Sequence, residues 1–146
     1  MIKIQHILHP TDFSDHSEAA LKYACSLAIQ YAASLHLIHV VQDIRFALPV
    51  GGGLPADFYI NQVRSATEQL TEYPAKIVNH SGTIERNVVE GPPAVEITNY
   101  AKDNNIDLIV MGTHGYAGIE HVLMGSVAEN VVRRAHCPVL TVPLKK

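Results

Sequence analysis

The chain has 146 residues, 47 % of them apolar and 17 % charged, the balance of one folded domain (1–146) and not of a disordered segment. A formal charge of −3 excludes the broad basic footprint of a nucleic-acid binder. No apolar run approaches the length of a membrane span, so neither nucleic acid nor membrane is expected as a partner.

The N-terminal stretch MIKIQHILHP is too short and too interrupted for a signal peptide. Cys25 and Cys137 have no CxxC partner and read as buried free thiols in a helix and a strand, as expected of a soluble, cytoplasmic protein. The nine histidines are spread along the chain, which is the distribution of hydrogen-bonded or solvent-facing side chains.

In chain order, Ile2 to His9 alternates apolar and polar residues and reads as a strand stopped by Pro10. Pro10 to Phe13 is a loop. Ser14 or Asp15 can cap the helix that follows, Glu18 standing at capping-box spacing from Asp15, and Ala20, Ala24, Leu27 and Tyr31 give it an apolar face. Leu35 to Val41 is apolar enough to be a strand covered on both faces. Asp43 to Pro55 is a loop with three consecutive glycines. A helix is predicted from Pro55, with Ile60, Val63, Thr67 and Leu70 on one side and Pro74 kinking or ending it.

Residues 79–82 read as a turn and Thr83 to Glu90 as a third strand. Gly91-Pro92-Pro93 opens a helix with Ile97, Tyr100 and Ala101 inward, closed by Asn104-Asn105. Asp107 to Met111 is a short buried strand, Ser126 to Arg134 a helix, and Cys137 to Val142 a last strand whose flanking prolines suit a sheet edge. Strict β-α alternation implies a parallel sheet with helices on both faces. In such a sheet, ligands bind beyond the carboxyl ends of strands, which singles out the loops Pro10 to Phe13 and Gly112 to Gly125.

Gly112, Gly115 and Gly125 let the backbone turn and let a ligand come close. At the start of the last helix, the N–H groups of Ser126, Val127 and Ala128 and the Ser126 hydroxyl are candidate donors to a phosphate. Ser126-Val-Ala-Glu129 is also a capping box, and the residues alone leave both readings open. Asp12 is likewise readable as an acceptor for ribose hydroxyls or as a carboxylate at a helix start.

Gly112-x2-Gly115-x9-Gly125-Ser126 resembles the G-2x-G-9x-G-(S/T) signature of the ATP-binding universal stress proteins. The opening ILHPTDFSDHSEAALKYA, the stretch Val88 to Pro93 and the ending HCPVLTVP are similar to the same family, so the resemblance spans essentially the whole chain. It implies an α/β three-layer fold with an open, parallel, five-stranded sheet in the order 3-2-1-4-5, Rossmann-like and of the adenine nucleotide alpha hydrolase type. It also implies ATP, with Mg²⁺, as ligand. Pro10, Thr11 and Asp12 then flank adenine and ribose, with Val40 on adenine and Met111 and Gly112 on the ribose side. Gly115 starts the phosphate loop, and Gly125, Ser126 and Val127 take the phosphates. A homodimer through the last strand and a regulatory role in stress response are the further implications. The sequence departs from the family pattern at His114 and His121, where many relatives carry Arg or Lys; a neutral imidazole attracts phosphate less, and its pull rises on protonation.

Walker A, GxSxG and HExxH patterns are absent, and no nucleophile–base constellation can be assigned. A nucleotide-binding regulator is expected over a dedicated enzyme, hydrolysis being slow at most. The alternatives are a slow ATPase or nucleotide-transfer enzyme assisted by His114 or His121, and a dimeric interaction protein that binds no nucleotide. His114, His121 and His136 share one region but match no standard zinc spacing.

Overall fold

A computed structural model describes residues 1–42, 55–75, 80–115 and 123–145. Residues 43–54 of the expected loop Asp43 to Pro55, Asn79 of the expected turn, and residues 116–122 of the loop Gly112 to Gly125, His121 among them, lie outside the described residues. Five strands alternate with four helices: β1 His6–Pro10, α1 Asp15–Tyr31, β2 Ser34–Val41, α2 Ala56–Glu72, β3 Ile84–Glu90, α3 Pro93–Asp103, β4 Leu108–Gly112, α4 Ser126–Arg134 and β5 Val139–Val142.

All four strand pairs are parallel, in the order β3-β2-β1-β4-β5. Helices cover both faces, the three-layer Rossmann-like arrangement that the alternation implied. On one face Leu21, Ala24, Cys25 and Ala28 of α1 and Leu70 of α2 pack with Ile7, Leu35, Leu37 and Val110 of the sheet. On the other, Ile97 and Ala101 of α3 and Ala128 and Val131 of α4 pack with Leu8, Ile38 and Ile109. Each fully buried Leu or Ile contributes roughly 1.5–3 kcal/mol of transfer free energy, which makes the central strands β1, β2 and β4 the anchor of the fold.

Several local readings are corrected. The first strand begins at His6, not Ile2, because its ladder starts at the His6–Ser34 pair, and the Asp107 carboxylate takes the amides of Gln5 and His6 at 2.8 and 3.0 Å. It also includes Pro10, whose missing N–H is harmless at a strand end, and the next amide, Thr11, donates to Ile38 at 2.8 Å. On α1 the inward residues are Ser17, Ala20, Leu21, Ala24, Cys25 and Ala28, while Tyr31 is exposed at the end of the helix. On α2 the buried side chains are Ala66 and Leu70, and Ile60 and Thr67 face solvent. Cys137 lies in the bend before β5 and is half-buried, and both cysteines are free.

Arg86, from edge strand β3, donates to the carbonyls of Leu70, which also takes the Tyr73 amide, and of Tyr73, at 2.9 Å each, placing a cation at the negative end of the α2 dipole. The order 3-2-1-4-5 reverses direction between β1 and β4. At that reversal the crossovers to α1 and α4 leave on opposite faces and open a crevice at the strands' carboxyl ends.

Candidate functional site

The crevice is a cavity of about 1010 Å³, and its wall includes every one of Pro10, Thr11, Asp12, Val40, Met111, Gly112, Gly115, Gly125, Ser126 and Val127. The size is at the upper end of the range usual for small-molecule sites. Residues up to 119 positions apart in sequence share this wall (10 to 129) because strands β1, β2 and β4 end side by side.

The β1–α1 side is closed upon itself. Ser14 caps α1, its hydroxyl accepting from the Ser17 amide at 3.3 Å, while the same hydroxyl donates to Asp12 Oδ1. Asp12 Oδ1 also accepts from the Ser14 amide at 3.0 Å and from the Ser17 hydroxyl at 2.7 Å, and Ser17 in turn accepts from the Asp12 amide at 3.1 Å. One carboxylate oxygen is thus committed to the helix start. The other, Oδ2, stands against Gly115, where a Cβ would come within 2.4 Å of it.

Phe13 takes a left-handed φ of 64°, a conformation that costs a bulky residue roughly 1–2 kcal/mol. It is held by its amide bond to the Thr11 hydroxyl at 3.0 Å and by rings on both sides, stacked on His39 at 4.9 Å and edge-on to Tyr73 at 5.2 Å. His39 in turn bonds the Thr11 carbonyl through Nδ1 at 2.8 Å. Beneath this loop His9 is fully buried, with Nδ1 bonded to the Val110 carbonyl at 2.8 Å. Burial lowers its pKa to about 4, against the opposing pull of that carbonyl and of Asp12, so the ring is neutral and Nδ1 is the donor.

The β4–α4 side is built differently. Gly125, not Ser126, is the N-cap of α4, with φ −68° and ψ 160°, and no side chain caps the helix. The capping box read from the sequence therefore does not form. Ser126 is the first helical residue, and Glu129, displaced by one position, accepts instead from Arg133 one turn on at 2.8 Å. Gly125 is pinned by its own amide, which donates to the Thr113 carbonyl at 2.7 Å, and its carbonyl accepts the first helical bond from Glu129 at 2.9 Å. Ser126, Val127 and Ala128 precede that bond, so their N–H groups have no partner within the helix, and all three residues line the cavity.

The three glycines of the motif are explained first by the chain itself. A Cβ on Gly112 would lie 2.9 Å from the backbone oxygen of His16, so this glycine lets α1 lie against the end of β4. Gly115 makes room for Asp12, and Gly125 brings α4 against Thr113, whose oxygen a Cβ would meet at 3.2 Å. The spacing thus joins the two loops before any ligand is considered.

The electrostatics are unusual for a phosphate site. Among the described residues of the wall there is no Lys or Arg, while Asp12 and Glu129 carry carboxylates and His39 and His114 imidazoles. His114 Nδ1 lies 2.9 Å from the Thr113 hydroxyl, and its ring is 5.4 Å from that of His16. Of the other two histidines of this region, His121 lies outside the described residues and His136 is exposed beyond the opposite end of α4. No group of three potential metal-binding side chains occurs among the described residues.

Sequence reasoning missed the part played by His39, Ser17 and Thr113, and by Gln62, Ser65 and Gln69 of α2. The last three recur at spacings of three and four, a polar line on a helix read for its apolar residues only.

The chain matches the model of the universal stress protein family over residues 3–143. It is 38 % identical over 145 residues to universal stress protein MJ0531 of Methanocaldococcus jannaschii, covering 96 % of this chain and 82 % of that one. Among solved structures it resembles universal stress protein UspA from Lactobacillus plantarum, with a TM-score of 0.82 at 27 % identity, covering 97 % and 99 % of the two chains. A universal stress protein in complex with cAMP is similar with a TM-score of 0.64 at 29 % identity, covering 97 % and 98 %. With a family match over nearly its whole length, the glycine motif in place and the sheet order that the motif implied, this chain belongs to the universal stress protein family.

Proposed function

We propose that the cavity binds an adenine nucleotide, with ATP the ligand that the family resemblance points to, and that the protein is a nucleotide-binding regulator in a stress response. The observation that carries this is the uncapped first turn of α4 on the wall of a ligand-sized cavity at the sheet's reversal point. A helix start whose amides are left for something else is matched to a phosphate. Pro10, Thr11, Asp12 and Val40 then hold the adenosine, Met111 and Gly112 the ribose side, and Gly115, Gly125, Ser126 and Val127 the phosphates. The related structure in complex with cAMP supports the adenine assignment.

The donors of the wall hold phosphate, and although the Thr113 hydroxyl lies 2.9 Å from His114 Nδ1, no Lys or Arg among the described wall residues stands ready to stabilise a transferred phosphoryl group, so hydrolysis is slow in this reading. Mg²⁺, where present, rides on the phosphates, since Asp12 Oδ1 is already committed to Ser14 and Ser17. Edge strand β5, with Leu140 38 % exposed, is the proposed seam of a homodimer. A monomeric mass in analytical ultracentrifugation would remove that seam.

The direct test is mass spectrometry of small molecules released on denaturing the purified protein, followed by calorimetric titration with ATP and Mg²⁺. Gly125→Val tests the geometry: φ is −68°, so the substitution leaves the fold intact after a shift of tenths of an ångström near Thr113. It should nevertheless abolish nucleotide binding, because the branched side chain sits at the phosphate end. Unchanged affinity in that variant places the phosphates elsewhere.

A further inference from the structure

We infer that His36 is a proton-operated latch for α3: its neutral ring ties α3 to the sheet through Tyr100, and on taking a proton it gives up that tie for an ion pair with Glu85. None of these three residues lines the cavity, and the latch stands whatever the cavity holds. His36 lies on β2 and is 3 % exposed. Its Nδ1 is 2.9 Å from the Tyr100 hydroxyl on α3, and its Nε2 is 3.3 Å from the Ser34 hydroxyl. The Tyr100 oxygen accepts from the Asn87 side-chain amide at 3.0 Å, which leaves the Tyr100 proton for His36 Nδ1. Nε2–H then donates to Ser34, whose hydroxyl stands 2.7 Å from His6 Nδ1. One chain of hydrogen bonds thus runs from β3 through α3 and β2 to β1, each member polarising the next.

The alternative partner is already in place. Glu85 is the β3 residue in register with His36, and its Oε2 lies 3.6 Å from the same Nδ1. A bare Nδ1 offers that carboxylate no proton, and the Glu85 side chain is 54 % exposed to water instead. Protonation turns Nδ1 from acceptor to donor, so the Tyr100 hydroxyl loses its acceptor while the carboxylate gains a charged donor. Burial raises the pKa of Tyr100, so its hydroxyl keeps its proton throughout. A contact between helix and sheet is exchanged for one within the sheet.

The titratable groups that face His36 are Glu85 from β3, Tyr100 from α3 and His6 from β1, whose ring stands edge-on at 5.6 Å. Burial lowers the pKa of His36 below the ordinary 6.5; Glu85 opposes that shift and His6 adds to it. The latch is therefore closed at neutral pH and is released as pH falls below 6.5. Ile97, one turn ahead of Tyr100 on α3, and Pro93 at the start of that helix both line the cavity. The seat of α3 on the sheet is thus also the position of that part of the wall.

The test is nuclear magnetic resonance of the whole chain without added ligand, following imidazole nitrogens and backbone amides from mildly alkaline pH down to about 5, above the titration of His9 at about 4. At the alkaline end Nδ1 of His36 is expected to be bare and Nε2 to carry the proton. As the second proton is taken up, the amides of α3 should shift with the same midpoint and their protection factors should fall several-fold. Glu85→Gln, a change at a half-exposed side chain, should move both midpoints together to lower pH. Tyr100→Phe removes the tie, so His36 still titrates while α3 no longer answers. A proton on Nδ1 at the alkaline end, or wild-type α3 amides that do not follow the His36 titration, overturns the latch.

Discussion

The N-termini of α1 and α4 reach the same cavity from neighbouring strands, yet α1 is sealed by its own side chains and α4 is left open. At α1, Ser14 caps, Ser17 braces and Asp12 Oδ1 receives three hydrogen bonds, so the positive end of that helix is used within the chain. At α4 the cap is a glycine with no side chain to offer, and the amides of Ser126, Val127 and Ala128 have no partner within the helix. Two helix starts at one crevice are therefore not two equivalent anion sites. In the proposed reading, the closed one bounds the adenosine end and the open one supplies the phosphate donors.

The variant that breaks this comparison most severely is Gly112→Val, which pushes β4 away from the α1 backbone at His16. It should cost about 3 kcal/mol or more as an overpacked contact with backbone that cannot turn aside, read as a fall in the urea midpoint. A stability equal to that of wild type would mean that α1 does not depend on this glycine.

Acid probes the closed side. His9 has a folded pKa of about 4 against the ordinary 6.5, so the unfolded chain binds its proton first as pH falls. Its contribution is complete above pH 6.5, is lost between 6.5 and about 4, and changes no further below that, a loss on the order of 3 kcal/mol. Unfolding midpoints measured across that window should show a slope that His9→Asn flattens; an unaltered slope would transfer the effect to other groups.

The two serines give the smallest but most discriminating effects. Ser14→Ala should cost about 1 kcal/mol of stability, as loss of a helix cap does, and change nucleotide affinity little. Ser126→Ala should do the reverse, leaving stability within about 0.5 kcal/mol and weakening nucleotide binding several-fold through one lost hydroxyl donor. Equal stability losses in both would show that Ser126 caps α4 after all.

Much of this was legible in the chain. Strict alternation of apolar strands with helical periods gives the parallel sheet, the prolines around Cys137–Val142 mark an edge, and the glycine spacing after β4 selects the two loops that meet. What stayed hidden was three-dimensional. Ser-x-x-Glu at Ser126 looks like a capping box, and only the bond from the Glu129 amide to the Gly125 carbonyl shows that the cap lies one residue earlier. Gly112 reads as room for a ligand, but the atom it makes room for belongs to α1, nearly a hundred residues upstream. Spacing alone points Ile60 and Tyr31 inward, but spacing carries no information on how far a sheet extends beneath a helix, and both are exposed.

The contrast between the two helix starts is tested most directly by following backbone amide resonances during titration with ATP and Mg²⁺. Nucleotide bound as proposed shifts Ser126, Val127 and Ala128 most strongly and protects their N–H groups from exchange, while the already bonded Ser17 amide in the first turn of α1 moves little. Saturating nucleotide that leaves Ser126, Val127 and Ala128 unmoved would contradict a phosphate site at the start of α4.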